Sequence, residues 1–162
     1  EGAGYKKIPV TLSKIPVFQR GGSVIPRKRR VRRSSQQMFK DPITLTVALD
    51  SNGEARGDLY QDDEHTLDYK TLHAIRRVQY EFSELSLKSR IVDGNPAIYP
   101  TNPFKPENQI ERIEVLGLGF APSRVYAGPS EFEFKYDADK DLLVVRKPGV
   151  VAASRFDFII VK

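Results

Sequence analysis

Cysteine and tryptophan are absent from these 162 residues, methionine occurs once, and there are two histidines, His65 and His73. Without cysteine there is no disulfide framework, no thiolate zinc site and no thiol nucleophile. The absence says little about compartment, because an oxidising compartment permits disulfides without requiring them. Two histidines leave almost nothing for a histidine metal site or a Ser-His-Asp triad. No apolar run approaches the roughly 20 residues of a membrane-spanning helix. Asn52, Asn95, Asn102 and Asn108 all lack the Asn-x-Ser/Thr context, so glycosylation gives no compartment evidence. The first residues, Glu1-Gly2-Ala3-Gly4-Tyr5, hold neither an initiator Met nor an apolar signal core, and the expectation is a piece of a longer polypeptide.

What is present has the balance of a folded protein: 40% hydrophobic and 29% charged residues exclude wholesale disorder. The length fits one ordinary domain or two small ones. The formal charge is +5, and six of the seven residues from Arg27 to Arg33 are basic, so removing that run leaves a remainder of −1. The basic character is local and is not spread over the fold.

The dominant hydrophobic period is two. Ile43, Leu45, Val47 and Leu49 share one face against Thr44, Thr46 and Ala48. Val78, Tyr80 and Phe82 oppose Arg77, Gln79 and Glu81; Leu85, Leu87 and Ile91 oppose Ser86, Lys88 and Arg90. Glu131–Tyr136 sets three aromatics against three charges. Each pattern is that of a half-buried strand. Turn chemistry separates them: Asp50-Ser-Asn-Gly53 before a strand near Ala55–Tyr60, Asp93-Gly-Asn-Pro96, and Asp137-Ala-Asp-Lys-Asp141 before Leu142–Arg146. Pro100–Pro106, with three prolines, reads as an extended surface loop. No amphipathic helix longer than a turn or two is found. The reading is all-β: two antiparallel β-sandwich domains, a proximal one at 1–72, incomplete at its N-terminus, and a distal one at 73–162.

Four features are candidates for chemistry. Asp58-Leu-Tyr-Gln-Asp-Asp-Glu-His65 gathers carboxylates that could share acid/base work, but consecutive side chains diverge and solvated carboxylates are common at turns. The calcium-loop pattern does not occur there, and His65 reads as a turn histidine. Arg27–Arg33 invites phosphate binding, yet its nearest aromatics, Phe18 and Phe39, lie outside the run. An import signal, a solvated loop open to a trypsin-like protease, or a strand lining an anionic partner fits it equally. Phe132, Phe134 and Tyr136, with Phe156 and Phe158, read as core between sheets before they read as a sugar-stacking platform. Gly21-Gly22 is a bulge or tight turn, because no helix pattern follows it as a phosphate loop requires.

Several segments together resemble family 31 glycoside hydrolases. Ile15–Pro26 (IPVFQRGGSVIP) looks like the stretch that enters that family's C-terminal β-domain after its catalytic barrel. Asp41–Leu49 and Gly57–Tyr69 resemble later strands of that domain and its acidic turn, in the same order. Arg29–Ser35 and Leu143–Val150 narrow the likeness to the branch acting in the endoplasmic reticulum. The likeness runs collinearly over essentially the whole chain. Its acidic turn usually reads Asp-Asp-Gly where this chain has Asp62-Asp63-Glu64, which implies a slightly different turn here.

The resemblance implies retaining hydrolysis by two aspartates on loops of a (β/α)₈ barrel. No segment here resembles the barrel motif, so no catalytic residue, metal ligand or cofactor is assigned; Asp62 and Asp63 match an accessory-domain motif, and substrate-binding residues stay unassigned. The whole enzyme is implied to remove α-1,3-linked glucose from N-linked glycans in the endoplasmic-reticulum lumen. The implied partners are the barrel-bearing part of the same enzyme, a β subunit and the N-glycan substrate, with no nucleic acid and no membrane span. The chain ends Ile159-Ile-Val-Lys162 without a Lys-Asp-Glu-Leu-type signal, so retention is expected through a partner. This chain alone is expected to be inactive and to hold the barrel in shape, staying docked on it because an unpaired edge and apolar face would otherwise be exposed. The rival is an independent β-sandwich module binding carbohydrate or an anionic polymer.

Overall fold

The computed structural model describes residue 5, residues 7–93 and residues 102–162. The expected turn at Gly94–Pro96 and the first two residues of the Pro100–Pro106 stretch lie outside the described residues; Asn102–Pro106 has no regular structure. Eleven strands are described: β1 (Ser23–Arg27), β2 (Ile43–Ala48), β3 (Ala55–Gln61), β4 (Arg76–Ser83), β5 (Ser86–Ile91), β6 (Ile110–Leu116), β7 (Arg124–Ala127), β8 (Ser130–Glu131), β9 (Phe134–Asp137), β10 (Leu142–Arg146) and β11 (Asp157–Val161). Among the described residues the helical pieces are a 3₁₀ turn at Gln36–Met38 and α1 at Asp68–Thr71. The all-β reading is borne out.

Hydrogen bonding runs unbroken in the order β8-β7-β11-β5-β4-β3-β1-β2-β6-β10-β9. The two outermost strands, β8 and β9, are consecutive in sequence. One passage of chain through Phe132 and Glu133 therefore supplies both edges, and the sheet curls around one core cluster. The single strand expected over Glu131–Tyr136 is consequently two. Phe132 donates its N–H to Val125 at 2.8 Å and sets its ring 5.4 Å from Phe158, whereas Phe134 and Tyr136 pair with Val145 and Leu143. The aromatic alternation survives, half-buried against the core, but it is divided between two parts of the sheet.

Most neighbours are antiparallel, as expected; two are parallel. β2 runs parallel to β6 with a register shift between Ile43 and Thr44, and β1 meets β3 in parallel at Ser23↔Arg56. Periodicity cannot reveal either, because both join strands distant in sequence. β3 and β4 pair at seven positions across the boundary proposed near residue 72, and β2 pairs with β6 across it as well.

Val78, Tyr80 and Phe82 are buried, as the alternation predicts. Tyr80 donates to the Ala152 carbonyl at 2.9 Å and lies 6.0 Å from Phe156, and its burial pushes the phenol pKa far up. β2 departs from its pattern: Thr44 and Thr46 are buried along with Ile43, Leu45 and Val47, because β2 is an interior strand covered on both faces.

β1 joins the six strands on one side to the four on the other. It pairs with β2 at five positions, but it meets β3 only at Ser23↔Arg56 and through the Arg56 N–H to the Gly22 carbonyl at 3.1 Å. Gly22, at φ +81°, adopts the left-handed conformation of the tight turn. The close approach is made at Gly57, where an added Cβ would lie 1.9 Å from the Val24 carbonyl oxygen. Gly57→Ala is expected to destabilise the intact protein by about 3 kcal/mol, measured by chemical denaturation, because the obstructing atom is backbone and cannot rotate away. A change below about 1 kcal/mol would show that β1 has room to shift.

Candidate functional site

The acidic stretch does not converge on a site. Asp58 lies on β3 and pairs with Arg77 at 3.3 Å on an exposed face. Asp62 accepts the Tyr60 hydroxyl at 3.1 Å and the Glu64 N–H at 2.9 Å; Asp63 accepts the N–H groups of His65 and Thr66 at 3.3 and 3.1 Å. Apart from the Tyr60 hydroxyl, these are turn-forming contacts made by carboxylates to their own following backbone. Hydrogen bonding from Thr66 holds the Asp63 carboxyl below its ordinary pKa. Among the described residues no three His, Asp or Glu side chains cluster as metal ligands would. Glu64 sits at φ +61°, a left-handed conformation that is costly for a residue other than glycine.

The basic run is largely committed within the chain. Arg29 forks onto Glu114 at 2.8 and 2.6 Å and reaches the Thr46 hydroxyl at 3.3 Å. Arg32 forks onto Asp41, with contacts of 2.6 and 2.9 Å. Arg30 pairs with Glu111 at 3.2 Å, and Lys28 donates to the Phe39 carbonyl at 3.2 Å and lies 3.9 Å from Glu64. Glu114 and Asp41 are buried, and a buried carboxylate requires such a partner. The hydrogen bonds from Arg32 hold the Asp41 carboxyl below its ordinary pKa. The run is a clamp across the sheet before it is a surface for anything else.

Gln19, in the segment before β1, reinforces that clamp. Its amide donates to Thr46 O at 3.0 Å and to Ser23 O at 3.2 Å, while its carbonyl accepts from Arg27 at 3.1 Å. Two grooves adjoin Phe39. One, of about 340 Å³, is lined by Phe39, Phe104 and Pro106, and the other, of about 270 Å³, by Lys28, Tyr60 and Asp62. A larger open groove of about 580 Å³ crosses β3–β5 beside Arg56, Asp58 and Arg90. Asp58 and Glu81 line the large groove, where each is paired with an arginine, Arg77 and Arg56, and Asp62 and Glu64 line the smallest of the three.

The surface that stands out is apolar. Leu12, Ile15, Val17 and Phe18 are at least 73% exposed, and Tyr5, Ile8 and Val10 are exposed beside them. Residues 7–20 form no strand, with Pro9 and Pro16 interrupting the run. Soluble surfaces rarely leave so many large apolar side chains together in water. The exposed apolar face expected of the isolated chain falls on these residues, which the strand and turn patterns did not single out. The available signal was the close spacing of large apolar residues between prolines, with no complementary strand nearby.

No protein-family model matches the chain. It is 42% identical over 151 residues, 91% of its length, to neutral alpha-glucosidase AB of Mus musculus, and 38% identical over 161 residues to the protein of that name from Dictyostelium discoideum. It resembles a solved glucosidase II heterodimeric complex of catalytic subunit and regulatory-subunit binding domain, at 27% identity and a TM-score of 0.72 over 91% of the chain. The chain spans only 15–17% of the length of these proteins.

Glu64→Gly is expected to stabilise the intact protein by roughly 0.5–1 kcal/mol in denaturant titrations, since relief of the left-handed strain exceeds the loss of a long, exposed pair to Lys28. Asp41→Asn should lower the unfolding temperature at neutral pH. Because folding depresses the Asp41 pKa, its stabilisation is present above the ordinary value of 3.8 and lost as pH falls below it. The gap between variant and parent should therefore close in acid; a constant gap would refute the ion-pair account.

Proposed function

We propose, on the premise that this chain is homologous over nearly its whole length to the C-terminal part of an α-glucosidase, that it forms the non-catalytic β-domains of a glucosidase II-type catalytic subunit and holds the barrel in shape. The enzyme so supported removes α-1,3-linked glucose from N-linked glycans in the endoplasmic-reticulum lumen and works with a glucosidase II β subunit. The observation that carries the reading is the exposed apolar segment from Tyr5 to Phe18. Such a segment is covered in a stable protein, and the relatives possess the additional polypeptide that can cover it. The local bonding of Asp62 and Asp63 supports an accessory role for the acidic turn.

The proximal part, 1–72, and the distal part, 73–162, are proposed as divisions of one cooperative unit. The β3–β4 ladder and the β2–β6 ladder both cross between them, and the core cluster draws on both.

The test uses the intact enzyme. Replacing Leu12, Val17 and Phe18 together with Ser should lower the temperature of thermal inactivation by several degrees, with kcat/KM per active molecule unchanged. Asp62→Ala and Asp63→Ala should each leave kcat within about threefold of the parent at temperatures where the variants stay folded, the span of roughly 0.7 kcal/mol in barrier. An unchanged inactivation temperature in the triple variant would overturn the docking role. Loss of kcat in a folded Asp62 or Asp63 variant would place chemistry in this chain.

A further inference from the structure

We propose that the surface receiving the segment from Tyr5 to Arg20 is apolar at its centre and acidic at its rim, so that docking is guided and locked by carboxylates of the rest of the same polypeptide. This rests on the docking reading above and adds the chemistry of the receiving surface.

From Gly2 to Lys40 the sequence holds eleven Lys and Arg and no Asp or Glu. Seven of those cations fall into two sets. Lys28, Arg29, Arg30 and Arg32 are matched by Glu64, Glu114, Glu111 and Asp41, all supplied from later in the chain. Lys7, Lys14 and Arg20 are exposed, and among the described residues no carboxylate pairs with them. These three are set among the exposed apolar side chains: Lys7 precedes Ile8, Lys14 precedes Ile15, and Arg20 follows Phe18 by two.

When the apolar side chains are covered, those cations are carried to the edge of the contact. A cation brought there without a counter-charge is partly desolvated at a cost, and opposite charge on the receiving surface removes that cost. Arg27 and Arg33, the members of the basic run with no carboxylate pair among the described residues, add to the positive potential, which favours an acidic receiving face and disfavours a basic one. A segment with apolar and cationic residues also suits an anionic lipid surface, but such binding normally uses a continuous amphipathic helix. Pro9 and Pro16 interrupt this segment, and residues 7–20 contain no helix. The observations therefore favour a protein surface.

The experiment is hydrogen exchange of residues 5–20 in the intact enzyme at about 0.05 M and about 0.5 M NaCl, where exposed charges are screened weakly and strongly. Expected is protection at low salt and exchange about tenfold faster at high salt, the signature of a contact weakened by screening. The triple variant Lys7→Glu, Lys14→Glu, Arg20→Glu should exchange fast at both concentrations, whereas Leu12→Ser should lose protection by the same factor at both. Equal protection at both salts in parent and charge variant would overturn the acidic rim and leave the docking reading standing. No protection at either salt would overturn both. Protection that appears only on adding phosphatidylserine vesicles would also overturn both, in favour of a lipid surface.

Discussion

The sheet depends on β1 being held between β2 and β3. On one side the contact is an extended antiparallel ladder; on the other it is a single bridge made possible by the missing side chain of Gly57. Several devices converge on this strand. The Gly21-Gly22 turn brings it in, with the Gly22 N–H bonded to Ala48 O at 2.8 Å, and Gln19 bridges Thr46, Ser23 and Arg27 beside it. Arg29 and Arg32, just beyond its end, reach back to carboxylates on or beside β6 and β2. A strand with so few bonds on one edge is retained because neighbouring interactions over-determine its position.

The same arrangement explains the charge pattern. Glu114 and Asp41 are buried, and each is held by the guanidinium fork of an arginine. Arg29 and Arg32, which look from sequence like part of a surface feature, are the counter-charges of interior acids drawn from elsewhere in the chain. Once those pairs are made, the remaining positive charge lies mainly ahead of β1, next to the apolar side chains that have no cover. Charge and hydrophobicity thus point to the same face.

Local strain is distributed along the loops and hairpins. Glu84 and Leu85 form a two-residue hairpin loop with both residues at positive φ, a conformation better suited to Asn and Gly. Leu85 is packed against the core and its carbonyl accepts the Ile160 N–H at 2.8 Å, so tertiary contacts hold a turn that local propensity opposes. Glu64 is the same case at the acidic turn. Such turns are the places where reading residue by residue is least informative.

Alternation of side chains and the chemistry of short turns are local properties, and they determined the β class, the buried face of β4, and the turns at Asp50–Gly53 and Asp137–Asp141; on β5 they placed Leu87 inside but also left outside Ser86, which is buried. A strand's own residues decide which of its faces is apolar, because successive side chains point to opposite sides. Which strand lies beside which is decided by contacts between distant residues. So the parallel β1–β3 and β2–β6 pairings, the division of Glu131–Tyr136 between two strands, the burial of Thr44 and Thr46, and the partners of Arg29 and Arg32 came only with the tertiary structure. The exposed segment before β1 shows the same boundary. Its apolar residues and cations are legible in order along the chain, but their lack of cover is a statement about where every other residue has gone.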